Sequence, residues 1–406
     1  MKPDKATILL AFLLSGTMLF AGDGAAGQKL RFKYAQGEKY RIITEVEEDV
    51  LINGALSHRS SILNKVAVDT VEAGDGSGRL DCDFQMSEAI QGRFNTFYLR
   101  ESYLSRFRRD DLGVFTIDPS YFMPVVRNVP RFPGGVVKPG DTWTGDAEEA
   151  HDFRRSYGID TAFHFPVKVH YTYLRDEIIE GVKTAVLAVE FTVFHNVSCD
   201  RIPPRPVPVK ITGTSSQIYW WDIEAGKFHS YREEFDFVFF LSNAGTVEYR
   251  GTAKGKLLKS PKLDRDRVAE DIDRIIRESN IPDAGVRKDG KGVTIVLENV
   301  QFPPNSPELT DAEKDKLSRI AGILKKYPER DFLVTGHTAR VGEEETSQAL
   351  SEQRAMAVAD FLIQKDACEK TRIVTQGKGS REPAADNATE QGRRKNRRVE
   401  ITILEN

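Results

Sequence analysis

Residues 336–355 read GHTARVGEEETSQALSEQRA, and this stretch decides the fold of the last third of the chain. A short β-rich run, residues 332–335, precedes it. Its second half opens a run, residues 344–365, in which apolar side chains recur at helical spacing. A glycine-containing turn between a strand and a helix is typical of a layered α/β fold, in which helices cover one sheet.

The same alternation extends to both sides of this stretch. The sequence predicts a strand, a helix, a strand, a helix and two more strands, a βαβαββ order. In chain order these elements are residues 293–297, 309–327, 332–335, 344–365, 372–375 and 399–404. We therefore expect an α/β sandwich over residues 283–406.

Several short motifs in this part of the chain resemble one family. They are Gly336-His337-Thr338, Leu350-Ser351 with Arg354-Ala355, Gly377-x-Gly379, Gly392-Arg393 and Asn396-Arg397-Arg398-Val399-Glu400. In this order and spacing they resemble the OmpA-like peptidoglycan-associating domain, over about residues 290–405. No family is recognised for residues 28–260.

The resemblance implies a ligand and a pocket. The ligand is the diaminopimelate of peptidoglycan, which presents a carboxylate and an ammonium group. A planar guanidinium suits the carboxylate because it can donate two parallel hydrogen bonds, and in the family pattern this arginine corresponds to Arg354. The implied pocket comprises Thr338, Ala339, Ser347 and Arg354.

Two positions of that pocket depart from the family pattern. The family has an aspartate directly after Gly-His-Thr, where this chain has Ala339, and a methyl group cannot pair with an ammonium ion. The family also has an asparagine where this chain has Ser347, which keeps a hydroxyl and is a residue type that caps helices. Loss of one partner of a charged pair in a binding site costs about 2–5 kcal/mol, so we expect weakened or lost binding.

Neighbouring residues leave alternatives open. One of Glu343, Glu344 and Glu345 could replace the missing acid, or the three could simply favour the helix N-terminus by their charge. Arg354 could instead pair with a surface acid. His337 and the basic run 393–398 belong to the family pattern, so we expect them to be structural.

The N-terminus has the layout of an export signal. Lys2 and Lys5 precede an apolar run, residues 6–20, which is followed by small residues. This order predicts a signal peptide, residues 1–26. Cleavage after Ala26 fits better than cleavage after Ala21, and an uncleaved anchor is the alternative. No later stretch is apolar enough for a transmembrane helix. The predicted location is the periplasm, with possible association with the outer membrane.

Residues 27–260 read as a β-rich periplasmic region. Residues 214–221, 228–241 and 246–257 predict an antiparallel meander. The region forms either two modules with a break near residue 145 or one large curved sheet. Residues 261–282 predict a linker helix ended by Pro282. The fold class is therefore α+β and multidomain.

Composition excludes some classes of function. The net charge of −3 indicates no nucleic-acid partner. Cys82, Cys199 and Cys368 lack metal spacing, and a Cys82–Cys199 disulfide stays open. No catalytic motif, metal site or cofactor motif is recognised.

These features predict a non-enzymatic envelope protein that links or organises the outer membrane and the cell wall. The alternative is an OmpA-like fold that now serves protein–protein contacts or another ligand. In that case the β-rich region would be a docking or carrier domain for an envelope protein partner.

Overall fold

The computed structural model describes residues 27–405 apart from 90–94, 198–204, 299, 301 and 303–305. The predicted signal peptide, residues 1–26, and Cys199 lie outside the described residues. The fold is mixed, with a large antiparallel β region followed by a C-terminal α/β domain.

In the described part of the N-terminal region there are twelve strands and one short helix, α1 (Arg154–Tyr157). The strands are β1 (Lys39–Ile52), β2 (Ala55–Gly74), β3 (Ser77–Ala89), β4 (Phe97–Asp110), β5 (Phe115–Ile117), β6 (Val126–Arg127), β7 (Thr142–His151), β8 (Phe163–Ile179), β9 (Val182–Asn196), β10 (Pro208–Asp222), β11 (Lys227–Leu241) and β12 (Thr246–Lys259).

These strands form one antiparallel sheet in the order β6-β7-β8-β9-β10-β11-β12-β1-β2-β3-β4-β5. The predicted meander is present as β10, β11 and β12. Strand β7 runs through Gly145, and the pairing of β1 with β12 joins the first strands to the last. Of the two predicted arrangements, the structure has the single large sheet.

Aromatic and aliphatic side chains fill the core of this region. Trp221 is fully buried, and the rings of Phe32 and Phe132 lie against it with centroids 4.7 and 4.6 Å away. The buried Cys82 belongs to a second apolar cluster with Tyr40 and is a free thiol. Phe235, Phe237 and Phe239 alternate with Asp236 and Val238 along β11. Phe239 is buried in the main core and Phe237 packs against it, so these rings serve packing.

The described residues of the C-terminal domain form five strands, four α-helices and a 3-10 turn. They are α2 (Arg265–Glu278), β13 (Ala284–Asp289), β14 (Gly292–Leu297), α3 (Asp311–Leu324), β15 (Phe332–Gly336), α4 (Glu344–Gln364), the turn Lys370–Arg372, β16 (Ile373–Gly377), α5 (Glu390–Asn396) and β17 (Val399–Leu404). The sheet order is β13-β14-β17-β15-β16, with only β15 and β16 parallel. The βαβαββ order is confirmed, while β13 and α5 were not predicted.

Helix α2 is part of this domain's core. The Asp264 side chain accepts a hydrogen bond from the backbone N–H of Arg267 and caps the helix N-terminus. The apolar face of α2 buries Val268, Ile272 and Ile276 against the sheet that also carries Ile295. The predicted linker helix therefore forms, and its apolar face packs on the C-terminal sheet.

The two regions share a continuous sheet. Phe97 and Tyr98 at the start of β4 pair in parallel with Val374 and Thr375 of β16, the edge strand of the C-terminal sheet. The Thr375 hydroxyl donates a 3.1 Å hydrogen bond to the Phe97 carbonyl. The β-rich region thereby covers the edge strand of the C-terminal domain, whose unpaired backbone groups would otherwise be exposed.

Among the residues that the structure describes, no helix has both the length and the apolar character needed to cross a membrane.

Candidate functional site

The candidate site lies where β15 and β16 end against α4. A Cβ atom on Gly336 would lie 2.1 Å from the backbone oxygen of Ser351, and one on Gly377 would lie 2.5 Å from the Ser351 hydroxyl. Only glycine lets both strand ends approach the helix backbone this closely. The glycines of the motif therefore place the loops after both strands beside the first turns of α4.

Hydrogen bonds hold these loops in position. The Thr338 N–H donates to the Gly379 carbonyl at 2.9 Å, and the Gly379 N–H donates to the Ser351 hydroxyl at 2.9 Å. The His337 N–H donates to the Arg398 carbonyl at 3.0 Å. The loop that carries Thr338 and Ala339 is thus tied to α4 one turn before Arg354.

A buried asparagine organises the second loop of the site. The Asn396 side-chain oxygen accepts from the N–H groups of Ala384 and Ala385 at 2.7 and 2.9 Å, and its amide donates to Asn387 at 2.9 Å. Asn387 in turn accepts from the Arg340 N–H at 2.9 Å. Asn396 belongs to the family motif, but the sequence alone assigns neither asparagine a role, because their partners are up to 47 residues away.

Arg354 is a buried cation without an acidic partner. Its side chain is on α4, the residue is only 9% exposed, and its Nε has no hydrogen-bond partner. Within the described part of the chain no carboxylate lies within ion-pair distance of its guanidinium, so the predicted surface-pair alternative is wrong. Burial and then the nearby charge of Arg397 lower the pKa of Arg354 to about 10, so it is still cationic at neutral pH.

An aromatic ring that the sequence did not single out faces this cation. The Arg354 guanidinium lies 4.8 Å from the ring centroid of Phe302, within cation–π range. Phe302 lies in the segment between β14 and α3 and is followed by two prolines. An aromatic residue in a proline-rich connecting segment was the only signal that could have identified it.

Thr338 and Ala339 lie in the loop between β15 and α4. Thr338 is 7% exposed and its hydroxyl oxygen has no hydrogen-bond partner among the described residues. Ala339 is 6% exposed and contributes only a methyl group. Thr338 therefore offers an unused hydroxyl, and Ala339 offers only a methyl group at the position where the family pattern has an acid.

Ser347 does not cap the helix. Helix α4 begins at Glu344, and its N-cap is Glu343, which makes no side-chain cap bond. Ser347 lies buried inside the first turn, three residues after Glu344, where the helix begins as predicted. Ser347 therefore lies on the buried face of α4 and does not use its capping ability here.

Glu343, Glu344 and Glu345 at the start of α4 differ in exposure and in hydrogen bonding. Glu344 accepts hydrogen bonds from the Ser380 hydroxyl at 2.5 Å and the Ser380 N–H at 3.3 Å, which lower the pKa of its carboxyl. Glu343 and Glu345 are exposed. Among the described contacts none of the three pairs with Arg354, which favours the interpretation that they stabilise the helix N-terminus.

His337 and the basic run are structural, as predicted. His337 is 2% exposed, its Nε2 lies 3.7 Å from Glu400, and burial together with Arg398 lowers its pKa to about 4. Arg393 and Arg397 pair with Glu390 at 2.9 Å, and Arg398 pairs with Glu400 at 2.7 Å. These arginines are engaged within the domain and do not form a free basic patch.

No group of three or more potential metal ligands occurs in the portion of the chain covered by the structure.

Residues 301–397 match the model of the OmpA family. Three curated proteins are similar to the C-terminal part of the chain. Outer membrane porin F of Pseudomonas aeruginosa is 34% identical over 148 residues, which are 34% of this chain and 41% of that protein. Probable lipoprotein YiaD of Escherichia coli is 39% identical over 122 residues, which are 29% of this chain and 55% of that protein. Peptidoglycan-binding protein ArfA of Mycobacterium tuberculosis is 39% identical over 104 residues, which are 26% of this chain and 32% of that protein.

The chain therefore spans between about a third and about half of the length of these relatives. The residues matched by the family model, 301–397, contain both strand ends, Arg354 and Asn396. The C-terminal region of this chain is a domain of the OmpA family.

Proposed function

We propose that this protein is a non-enzymatic component of the bacterial cell envelope whose OmpA-family domain faces peptidoglycan. In this proposal it links or organises the outer membrane and the cell wall from the periplasm. The name of one relative, a peptidoglycan-binding protein, supports the ligand class. Direct binding is weakened or lost because Ala339 stands where the family has its aspartate.

One observation supports this proposal above the others: Arg354 is buried and cationic, and it has no acidic partner among the described residues. An uncompensated buried charge destabilises a fold, so such a residue is expected where a ligand supplies the missing anion. The guanidinium suits a carboxylate, whereas nothing at position 339 can bind an ammonium group.

Three acids of the C-terminal domain are already engaged within the described structure. Glu390 is paired with Arg393 and Arg397, and Glu400 is paired with Arg398. Glu344 is bonded to Ser380. A zwitterionic ligand would therefore gain one charged contact in place of two, which corresponds to an affinity lower by roughly thirty-fold to several thousand-fold.

Co-sedimentation of the full chain with purified diaminopimelate-type peptidoglycan tests the proposal. We expect weak sedimentation of the native protein, stronger sedimentation of Ala339→Asp, and loss of the gained binding in Ala339→Asp combined with Arg354→Ala. Arg394→Ala is the matched control, because its side chain is 64% exposed and its removal reports nonspecific attraction to an anionic polymer.

Equal sedimentation of the native protein and Ala339→Asp would contradict the role of position 339. Absence of binding in both would instead favour the alternative function, in which the domain and the β-rich region contact another envelope protein.

A further inference from the structure

We propose that Tyr98, a residue of the β-rich region, is a positioning residue for the candidate site of the OmpA-family domain. Through Glu352 on α4 it holds the loop after β16, residues 378–381, against the first turns of that helix. Its effect on ligand binding rests on the proposed function, whereas its effect on the loop does not. The site would then have its binding geometry only while the β-rich region is docked on the domain.

The chain at the start of β4 lies along α4. The backbone N–H of Asn95 donates to the Asp360 side chain at 3.2 Å. The Tyr98 hydroxyl donates to Glu352 Oε1 at 2.7 Å. The two acids are eight residues apart, about 12 Å along a helix, and an extended segment of three residues covers about 10 Å. The β-rich region is therefore bonded to α4 at two points, one of them two residues before Arg354.

Tyr98 is buried and keeps its proton. It is 9% exposed, and burial and then the hydrogen bond to Glu352 raise the pKa of Tyr98 to about 12. At neutral pH its hydroxyl is therefore the donor, and a hydrogen bond to a carboxylate is stronger than one between neutral groups. Tyr98 lies outside residues 301–397, which match the family model, so the β-rich region adds this contact to the domain.

Glu352 connects Tyr98 to the loop after β16. The side-chain amide of Gln348 donates to the same Glu352 oxygen at 2.7 Å and to the Gly377 carbonyl at 2.9 Å. The guanidinium of Arg381 donates to the side-chain oxygen of Gln348. Gln348 thus contacts the chain on both sides of residues 378–380, and the Glu352 carboxylate fixes its orientation.

The same loop holds the backbone of the candidate site. Gly379 donates its N–H to the Ser351 hydroxyl, and its carbonyl accepts from the Thr338 N–H, both at 2.9 Å. Thr338 and Ala339 are the positions that the family pattern places in the ligand pocket. A series of hydrogen bonds therefore runs from the β-rich region through α4 and this loop to the residue before Ala339.

Amide hydrogen exchange of the full chain, followed by NMR, tests this inference. Tyr98→Phe keeps the buried ring and removes only the hydroxyl. We expect the N–H groups of Thr338 and Gly379 to exchange about tenfold faster, because the lost hydrogen bond has a charged acceptor. The increase should exceed any change at Ile295, which lies in β14 and reports the stability of the whole domain.

Tyr103→Phe is the matched control. Tyr103 is on the same strand and donates to Asp152 at 2.9 Å, so this variant loses the same kind of hydrogen bond within the β-rich region. Glu352→Ala should speed exchange at Gly379 at least as much as Tyr98→Phe does. Adding Tyr98→Phe to Glu352→Ala should cause no further change, because the hydroxyl has then already lost its acceptor.

Co-sedimentation with peptidoglycan measures the effect on the site. In the Ala339→Asp background, Tyr98→Phe should lower the sedimented fraction severalfold, whereas Tyr103→Phe should leave it unchanged. Thermal unfolding of each variant verifies that it is folded.

Unchanged exchange at Thr338 and Gly379 in Tyr98→Phe, or an equal increase in Tyr103→Phe, would overturn the inference. The two proposals fail separately. Faster exchange in Tyr98→Phe, with no sedimentation of Ala339→Asp, would support the positioning role and overturn the proposed function alone. Strong sedimentation of Ala339→Asp that Tyr98→Phe does not reduce would overturn only this inference.

Discussion

A guanidinium nitrogen of Arg41, in the first strand of the β-rich region, lies 2.8 Å from the carboxylate of Asp331 at the start of β15. Lys65 of β2 lies 3.1 Å from the same carboxylate and Arg372 lies 3.5 Å from it. The Asp331 side chain is 1% exposed. A single buried acid thus connects cations from two strands of the N-terminal region to the C-terminal domain.

We expect Asp331→Asn to destabilise the protein by about 3–5 kcal/mol, because it leaves Arg41, Lys65 and Arg372 buried together without an anion. Urea unfolding at pH 7 measures the loss. Asp311→Asn is the control, since its carboxylate is 99% exposed and should contribute less than about 0.5 kcal/mol. A loss below about 1 kcal/mol for Asp331→Asn would show that this cluster does not stabilise the junction.

A second prediction concerns the strand pairing between the two regions. Phe97 is 4% exposed and packs with Leu63, Leu333 and Val374 in an apolar cluster that spans the junction. We expect Phe97→Ala to cost about 3–5 kcal/mol, the range for a buried phenylalanine. The backbone amides of β16 should exchange their hydrogens faster in Phe97→Ala than in the native protein.

Leu104→Ala, on the same strand, is the control, because Leu104 is 76% exposed. Unchanged protection of β16 in Phe97→Ala would mean that the edge strand does not depend on this contact.

A third prediction concerns helix α2. Ile272 is fully buried in the core of the C-terminal domain. We expect Ile272→Ala to destabilise that domain by about 2–5 kcal/mol. A fragment of residues 261–406 should also unfold at a higher urea concentration than a fragment of residues 280–406, which lacks α2.

Arg274→Ala is the matched substitution on the exposed face of the same helix. Identical unfolding midpoints of the two fragments would show that α2 is a linker and not part of the domain.

A fourth prediction follows from His337. Its pKa in the folded protein is about 4, against 6.5 for an unperturbed histidine, so the unfolded chain binds the proton more readily between these values. The contribution of His337 to stability is therefore full above about pH 6.5 and decreases as the pH falls toward 4. The loss is at most about 3 kcal/mol, from 1.36 kcal/mol per pKa unit.

Urea unfolding at pH 7.0, 5.5 and 4.5 tests this dependence. We expect His337→Gln to lose less stability between pH 7.0 and 4.5 than the native protein does. Carboxylates contribute to both curves, so the comparison between the two proteins isolates the histidine. If the free energy of unfolding fell equally with pH in both proteins, the buried imidazole of His337 would not be neutral in the folded state.

A fifth prediction separates binding from stability at Arg354. Replacement of a buried, unpaired cation by a flexible apolar side chain removes a desolvation cost, so Arg354→Met should stabilise the free protein by about 1–2 kcal/mol. The same variant should lose peptidoglycan binding in the Ala339→Asp background. Thermal unfolding and co-sedimentation measure the two effects. Destabilisation by more than about 1 kcal/mol would indicate that Arg354 has a structural role in the free protein.

The sequence by itself determined the fold of the C-terminal domain and the identity of its unusual position. Local patterns carry that information, because apolar periodicity distinguishes helices from strands. A glycine such as Gly336 also marks a place where the backbone of another element can come close. The absence of an acid at Ala339 is a property of one residue and needs no structure. The meander at residues 208–259 was also predictable, because consecutive strands joined by short turns pair with each other.

Only the tertiary structure decided how Arg354 is used and how the two regions meet. Whether an arginine is paired depends on acids that are distant in sequence, and here Glu390 and Glu400 are bonded to other arginines. The same holds for Asp331, whose partner Arg41 precedes it by 290 residues. Burial and ion pairing are relations between distant segments, so they appear only when folding brings those segments together.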